Sequence, residues 1–324
     1  MMKPKKNTCK MIFLMIAWIV IPLGMSAQIN VIFDTDIGSD CDDAGAMAVL
    51  HKLADRGEVN IIGVMFSSNA NRYGVGACHA INTYYGRPDI PIGQYMGEDE
   101  IGDPNDSYSA LIAGATDKYG HSLVDSTTEI VSLYKKLLAD QTDSSVTLVS
   151  VGHPVALFHL IRDPQGMDLV KRKVTKWVAM THTDRIPQND WNFGRNGTDK
   201  YIKELLKRWP TDAYFSGAGE DIITGNRKLP NTGDRNPVKA AYEFWPGNAL
   251  KNGRSSWDQI AVLFAVRPEY FNIEPGCLRQ NDNMETFWTT AIDPDLTKRF
   301  KVVPRIPKDT LEDTIETLMA ENPR

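Results

Sequence analysis

The residues best suited to chemistry in this sequence are five aspartates that follow a short apolar run, Ile29–Phe33. They fall within ten positions: Asp34, Asp36, Asp40, Asp42 and Asp43. Because carboxylates this close repel one another, we expect a cation to neutralise them. Ligands that are all oxygen atoms favour a hard cation, either Ca²⁺ or Mg²⁺. An acidic turn that only caps the following helix is the simpler alternative, but it does not account for the first two aspartates.

The residues on either side of the aspartates predict how they are positioned. The apolar run Ile29–Phe33 predicts a buried strand, and the small and apolar residues of Ala44–Leu50 follow a helical pattern. A turn between these two elements lies at the carboxyl end of a strand, which is where open α/β sheets bind ligands. The sequence therefore predicts a ligand site in this turn.

Apolar strand patterns and amphipathic helix patterns alternate along the rest of the chain. Further strands are predicted at Val59–Phe66, Ser145–Val151 and Val174–Met180, with helices at Arg72–Tyr85, Thr127–Ala139, Val155–Ile161 and Gln259–Val266. Such alternation predicts an α/β protein with a mainly parallel central sheet and helices on both faces. The segment Tyr95–Asp125 shows little periodicity and is predicted to be a lid or binding loop.

Two segments resemble motifs of the inosine–uridine nucleoside hydrolases. The segment DTDIGSDCDD resembles the family signature DxDPGxDD, with Ile37 at the proline position and two additional residues before Asp42. The segment WDQIAVLFAVRPEYF resembles the late motif HDPLAVAxLxxPxxF, with Trp257 at the histidine position. The resemblance extends from Ile29 to Phe271 and implies the open α/β fold of that family.

The resemblance also implies a calcium site and a catalytic base. Its metal ligands correspond to the side chains of Asp36, Asp43 and Asp258 and to the backbone carbonyl of Val151. A carbonyl ligand does not depend on the side chain, and calcium commonly accepts backbone oxygens. The resemblance assigns Asp36 a second role as the base that takes a proton from the attacking water.

Sugar-binding residues follow from the same resemblance. Asn69 ends the second predicted strand, where the family has an asparagine that contacts ribose. The segment TDRIPQNDWNFG is similar to the family segment NxTPxAEFN, which holds the sugar hydroxyls. The implied substrate-binding residues are Asp42, Asn69, Asp184, Asp190, Asn192 and Trp257. Amide and carboxylate groups together suit vicinal hydroxyls, which both donate and accept hydrogen bonds.

The reaction implied by the resemblance is calcium-dependent hydrolysis of the N-glycosidic bond of a ribonucleoside or related ribosyl compound. Trp257 can stack on a base but cannot deliver a proton, so the sequence does not show what activates the leaving group. Two alternatives stay open. One is a periplasmic nucleoside- or sugar-binding protein that has lost catalysis, and the other is a metal-dependent phosphohydrolase.

Composition limits the partners of the chain. The formal net charge is −5, and no basic run follows the N-terminal segment, so we expect a small-molecule substrate and no nucleic acid. The cysteines after that segment are Cys41, Cys78 and Cys277, whose number and spacing match neither a disulfide framework nor a zinc site. The sequence leaves open whether the chain forms a homo-oligomer.

The first 27 residues have the pattern of a secretory signal peptide. Four lysines precede an apolar run, Met11–Met25, and small residues end at Ala27. The run is too short for a comfortable membrane span. We therefore expect residues 1–27 to be removed on export, leaving 28–324 as a single domain that is periplasmic or secreted and free of the membrane.

N-terminal sequencing of the protein from its natural source should therefore begin near Gln28. The physical reason is that the small residues before Gln28 fit a cleavage site after the apolar run. A soluble cytoplasmic protein that begins at Met1 or Met2 would show that the segment is not a cleaved leader.

Overall fold

The computed structural model describes Met2, residues 28–122 and residues 127–324. The predicted signal peptide lies outside these residues apart from Met2. Within the described ranges, no helix is both long and apolar enough to cross a membrane.

The secondary structure of the described residues alternates between strands and helices. The strands are β1 Ile29–Thr35, β2 Val59–Phe66, β3 Ile92–Gln94, β4 Thr128–Glu129, β5 Val146–Ser150, β6 Val174–Met180, β7 Asp212–Ser216, β8 Ile223–Thr224, β9 Arg254–Ser255, β10 Phe271–Pro275, β11 Cys277–Gln280, β12 Thr286–Thr289 and β13 Arg299–Pro304. The helices are α1 Asp42–Asp55, α2 Gly74–Tyr84, α3 Ser109–Gly114, α4 Thr116–Tyr119, α5 Ile130–Ala139, α6 Val155–Arg162, α7 Pro164–Lys173, α8 Asp199–Arg208, α9 Pro237–Phe244, α10 Ala249–Asn252, α11 Trp257–Val266 and α12 Lys308–Ala320. Short 3₁₀ helices cover Leu229–Asn231 and Pro268–Tyr270.

A mainly parallel sheet forms the centre of the molecule. In the described ranges it has nine strands in the order β10-β13-β7-β6-β5-β1-β2-β3-β4. Strand β1 is central and pairs in parallel with β2 and β5, whereas β10 is an antiparallel edge strand beside β13. The predicted mainly parallel sheet is thus confirmed.

Alternating side chains of the central strands face two separate apolar layers. In β1, Val31 and Phe33 pack with α1, α2, α9, α11 and α12, while Ile32 packs with α5, α6, α7 and α8. In β6, Val178 faces the first layer and Trp177 the second. A strand buried on both faces needs an unbroken apolar run, which explains the composition of these segments. The predicted helices on both faces are confirmed.

Some predicted boundaries differ from the structure. The predicted loop Tyr95–Asp125 contains the short helices α3 and α4. The predicted helix Thr127–Ala139 begins at Ile130, because the Glu129 carboxylate accepts hydrogen bonds from the first free backbone N–H groups of α5. Helix α11 begins at Trp257, two positions before the predicted start.

Helices α1 and α11 approach each other closely at Gly45. A Cβ atom at this glycine would lie 2.4 Å from Nε2 of Gln259 on α11 and 2.5 Å from the hydroxyl of Tyr242 on α9. The absence of a side chain therefore lets the two helices pack with their N-termini at the same edge of the sheet. Asp42 and Asp43 begin α1, and Asp258 lies in the first turn of α11.

Candidate functional site

The carboxyl ends of adjacent parallel strands form the edge at which the predicted site residues lie. Asp36 follows β1, Val151 follows β5, Thr181 follows β6 and Gly217 follows β7. Because these strands are neighbours in the sheet, residues from distant parts of the sequence meet there.

Three aspartates converge at this edge. One carboxylate oxygen from each of Asp40, Asp42 and Asp258 lies within 4.8 Å of the other two. Asp42 and Asp258 are 1% and 2% exposed, so their charges are removed from bulk water. The structure thus brings the aspartate loop and Asp258 together through Asp40 and Asp42, whereas the ligands predicted from the loop were Asp36 and Asp43.

The carboxylates of the cluster disfavour one another's ionised forms. Burial raises the pKa of Asp258 well above its usual value, and the charges of Asp42, Asp43, Asp40 and Asp36 raise it further. Burial and the charge of Asp40 likewise raise the pKa of Asp42. A set of mutually repelling, desolvated carboxylates is stabilised by a bound cation.

Unpaired oxygen atoms show that the donor set fits a hard cation. Among residues 28–122 and 127–324, buried oxygens without a hydrogen-bond partner include Oδ2 of Asp42 and Oδ1 of Asp258. Buried polar atoms ordinarily have partners. Carboxylate oxygens without one are the atoms that a Ca²⁺ or Mg²⁺ ion would use.

The other predicted metal ligands have protein partners. The hydroxyl of Thr35 donates a hydrogen bond to Oδ1 of Asp43. The carbonyl of Val151 accepts one from Nδ2 of Asn192 at 2.5 Å. Asp36 and Asp43 are not among the three carboxylates that converge within 4.8 Å. Their roles as ligands stay predictions.

Asp36 lies beside a buried histidine. Nε2 of His153, which is fully buried, is 3.1 Å from Oδ2 of Asp36. Burial lowers the pKa of His153, but the Asp36 carboxylate outweighs burial and the net pKa is raised. The backbone N–H of His153 donates to the hydroxyl of Ser67 at 3.1 Å. The imidazole is thus held against the predicted base.

Asp34 is separated from the cluster. It lies in β1, where the hydroxyl of Tyr134 donates a hydrogen bond to its Oδ2 at 2.7 Å. Burial raises the pKa of Asp34 to about 7. Of the five predicted aspartates, this one is bound into the fold on the α5 side of the sheet.

An arginine that the sequence analysis did not single out contacts the cluster directly. Nη2 of Arg254 is 2.7 Å from Oδ2 of Asp40, and its Nε is 3.0 Å from Oδ1 of Asp42. Its guanidinium carbon lies 4.7 Å from the centre of the Trp245 ring and 4.8 Å from that of the Trp257 ring. Arg254 therefore combines two ion pairs with two cation–π contacts.

A cleft of about 580 Å³ opens beside the cluster. Its size is that of a small-molecule site. The residues that line it are Ser39, Asp40, Met180, Thr181, His182, Asp184, Gln188, Asp190, Trp191, Gly217, Glu220, Trp245, Arg254 and Trp257. The cleft thus brings three predicted substrate-binding residues together, namely Asp184, Asp190 and Trp257.

Of the remaining predicted substrate-binding residues, Asp42 pairs with Arg254, and the two asparagines are held by backbone groups. Asn69 donates to the carbonyls of Gly97 and Asp99 and accepts from the N–H of Ile101, so it fixes the loop after β3. Asn192 donates to the carbonyl of Val151, and its Oδ1 lacks a hydrogen-bond partner among the described residues.

Asp190 organises the loop that follows β6. Its Oδ2 accepts from the N–H of His182, and its Oδ1 accepts from the N–H groups of Asn192 and Phe193. Asp184 is more open, since its Oδ2 contacts Nδ1 of His182 and Nε2 of Gln188, both at 3.2 Å. Which of these residues touches a substrate stays a prediction.

Several site residues escaped the sequence analysis for identifiable reasons. Arg254 begins the two-residue strand β9, and Trp245 follows α9. The position of Arg254 depends on the short antiparallel pairing of β9 with β8, which is distant in sequence. A basic residue four positions before Asp258 is the one signal that could have indicated an ion pair. His153 follows a predicted strand end, but only the fold places it against Asp36.

Comparisons with solved structures identify the fold. The chain is similar to the inosine–uridine preferring nucleoside hydrolase of Bacillus anthracis, with a TM-score of 0.68, 13% identity, and coverage of 90% of this chain and 99% of that one. It is also similar to the purine-preferring ribonucleoside hydrolase of Gardnerella vaginalis, with a TM-score of 0.67, 16% identity, and coverage of 90% and 98%.

A third similar structure is the type III effector protein XopQ in complex with adenosine diphosphate ribose. It gives a TM-score of 0.68 at 12% identity and covers 91% of this chain and 94% of that one. The sequence matches no protein-family model and no curated protein. The described residues therefore have the nucleoside hydrolase-like fold that the sequence analysis predicted.

Gly152 gives a direct test of how tightly the site is packed. A Cβ atom at this position would lie 2.5 Å from the backbone nitrogen of Asp36 and 2.5 Å from the hydroxyl of Ser67. Gly152→Ala should therefore reduce the free energy of unfolding by about 1–3 kcal/mol, as overpacking of a buried contact does. Urea unfolding would measure the change.

Gly114→Ala is the matched control, because a Cβ atom there has no neighbour within 4 Å and the backbone φ is not positive. The control should change stability by less than about 0.5 kcal/mol. Equal stability of Gly152→Ala and Gly114→Ala would show that the Asp36 turn is looser than the structure implies.

Proposed function

We propose that this protein hydrolyses the N-glycosidic bond of a ribonucleoside or related ribosyl compound and that it depends on calcium. The observation that carries the proposal is the convergence of Asp40, Asp42 and Asp258 beside a cleft at the carboxyl ends of the central strands. Similar structures described as nucleoside hydrolases support this reading of the fold. We also propose that residues 28–324 form one exported domain.

A calcium ion bound by the carboxylates of this cluster would hold a water molecule and two sugar hydroxyls and would lower the pKa of that water. Calcium accepts more oxygen ligands than the three converging aspartates supply, which leaves room for Asp36, Asp43 and the Val151 carbonyl. The unpaired oxygens of Asp42 and Asp258 support a bound cation at this cluster.

Asp36 acts as the base in this proposal. It takes a proton from the attacking water while the bond between the anomeric carbon and the leaving nitrogen breaks. Its neighbour His153 contacts Oδ2, so the carboxylate is held in one orientation. Positioning of this kind allows a short, aligned approach of water to the anomeric carbon.

Binding of the ribose is assigned to residues of the sequence prediction. Asp184 lines the cleft and offers a carboxylate oxygen to the sugar hydroxyls. Asp42 and Asn192 lie outside the cleft lining, and each offers a buried oxygen that lacks a hydrogen-bond partner among the described residues. Asn69 and Asp190 support the loops around the sugar through their backbone contacts. Energy from these contacts positions the reacting carbon.

A binding protein without catalysis is the second candidate, and one observation favours it. The similar effector structure was obtained in complex with adenosine diphosphate ribose, which is a ribosyl compound. Release of free base from a panel of nucleosides, measured with and without a chelator, separates the two candidates. Base release that requires calcium supports the enzyme, whereas binding without release supports the second candidate.

Calcium should stabilise the protein through Asp258. At a calcium concentration about 100 times Kd, binding adds about 2.7 kcal/mol to the free energy of unfolding, which is about 5 °C in Tm for a chain of this size. Asp258→Asn should remove most of that shift. Differential scanning fluorimetry with calcium or with a chelator would measure it.

The same variant should behave differently without calcium. Because the folded pKa of Asp258 is raised, its ionised form lowers the stability of the metal-free fold at neutral pH, and Asp258→Asn should be at least as stable as the unchanged protein. Asp282→Asn is the control, since Asp282 is exposed and its one ion-pair partner among the described residues is Lys203. An equal calcium shift in Asp258→Asn and Asp282→Asn would argue against the proposed metal site.

Loss of the base should affect turnover more than binding. Asp36→Asn keeps the size of the side chain and one oxygen but removes its basicity. We expect kcat to fall by about 10²-fold or more with a smaller change in KM, as for loss of a general base. Steady-state kinetics and calcium content should be measured together. Full activity at normal calcium content would exclude Asp36 as the base.

A further inference from the structure

The guanidinium of Arg254 lies where a leaving group would need help. We propose that Arg254 is a catalytic residue that donates a hydrogen bond to the departing base and stabilises the negative charge that develops on it. This inference rests on the proposed hydrolysis. It answers the question raised by Trp257, whose indole cannot deliver a proton.

The position of Arg254 follows from its contacts. Trp257 immediately precedes Asp258, so a ribose held at the carboxylate cluster would have Trp257 beside it. The Arg254 guanidinium lies over the Trp257 ring at 4.8 Å, and both side chains line the cleft. A base attached to that ribose and directed into the cleft would therefore meet this pair.

The guanidinium retains donors for a ligand. Arginine has five N–H groups. Within the described ranges, the hydrogen bonds of Arg254 go from Nε to Asp42 and from Nη2 to Asp40, and none goes from Nη1. The Nη1 hydrogens are thus left for a nitrogen or carbonyl oxygen of a base.

Four contacts fix the guanidinium plane. The carboxylates of Asp40 and Asp42 pair with one edge of the guanidinium group. The same group lies over the rings of Trp245 and Trp257. A donor that is already oriented does not have to reorganise as charge develops, which is the condition for strong transition-state stabilisation. An arginine guanidinium stays protonated in proteins, so the donor keeps its positive charge.

Other groups in the cleft are less suited to this role. His182 is the imidazole among the described lining residues, and both of its ring nitrogens have protein partners: Nδ1 contacts Asp184 and Nε2 contacts the carbonyl of Thr286. Glu220 and Asp184 carry carboxylates. A nearby carboxylate disfavours the negative charge that develops on a leaving base. Among the described residues that line the cleft, Arg254 is the one that carries a guanidinium donor.

The proposed step balances without proton transfer from the protein to the base. The bond between the anomeric carbon and the base nitrogen breaks, and its electron pair stays on the base. The water oxygen bonds to the anomeric carbon, and its proton goes to Asp36. The base leaves as an anion hydrogen-bonded to Arg254 and then takes a proton from solvent.

The test compares poor and good leaving groups in Arg254→Met, which keeps an unbranched apolar stem but removes the guanidinium with its charge and donors. The substrates are a panel of common nucleosides and 4-nitrophenyl β-D-ribofuranoside, whose nitrophenolate leaves without help. We expect kcat/KM to fall by about 10²-fold or more on the best nucleoside and by less than about fivefold on the nitrophenyl riboside. Arg254→Lys keeps the charge and should recover part of the nucleoside activity.

Arg267→Met is the matched control. Arg267 also makes a two-point ion pair, to Glu58 at 2.7 and 2.8 Å, and it also lies over an aromatic ring, that of Tyr270. It follows the last residue of α11, about 14 Å along the helix from Asp258. This variant should hydrolyse both kinds of substrate like the unchanged protein.

The outcomes separate this inference from the proposed function. An equal loss on nucleosides and nitrophenyl riboside would mean that Arg254 only holds Asp40 and Asp42, and the inference would be overturned. Hydrolysis of the nitrophenyl riboside but of no nucleoside by the unchanged protein would also overturn it while leaving a ribosyl hydrolase. An unchanged protein that hydrolyses neither substrate would contradict the proposed function itself.

Discussion

Repulsion among buried carboxylates is the constraint on which the rest of this site depends. Two aspartates begin α1, a third begins the first turn of α11, and their helices pack closely enough at Gly45 to hold the charges in one small volume. This arrangement does not stabilise the fold by itself, because each desolvated carboxylate disfavours the ionised form of its neighbours. A fold that keeps such a cluster has a counter-charge for it.

Arg254 supplies part of that counter-charge. It pairs with Oδ2 of Asp40 and Oδ1 of Asp42, whereas Oδ2 of Asp42 and Oδ1 of Asp258 have no hydrogen-bond partner among the described residues. One guanidinium cannot neutralise three or more carboxylates. The geometry therefore fits both a bound cation and an arginine beside the same aspartates, and both Arg254 and Asp40 line the open cleft.

The sequence predicted the parts of the molecule that depend on local pattern. The limits of β2 and β6 match the predicted strands, because buried parallel strands are continuous apolar runs with sharp ends. The meeting of the aspartate loop with Asp258 was also predictable, since both motifs resemble one family. Arg254, Trp245 and His153 were not, because their roles come from packing across short irregular segments that carry no periodic signal. Asp190 was predicted to contact the substrate. The structure also shows it bonded to backbone N–H groups of its own loop, and a linear sequence pattern does not reveal such contacts.

The close pairing of Arg254 with Asp42 has a consequence for how the protein reaches its native state. These residues are 212 positions apart in the sequence. Contacts between such distant residues require closure of a long loop, and chains dominated by them fold slowly. The aspartates at the start of α1 are synthesised early, whereas Arg254 and Asp258 are synthesised in the C-terminal third of the chain. The acidic turn therefore stays unpaired, hydrated and without a defined pocket until the C-terminal third of the chain has docked, so that competence for ligand binding arrives only with the last stage of folding.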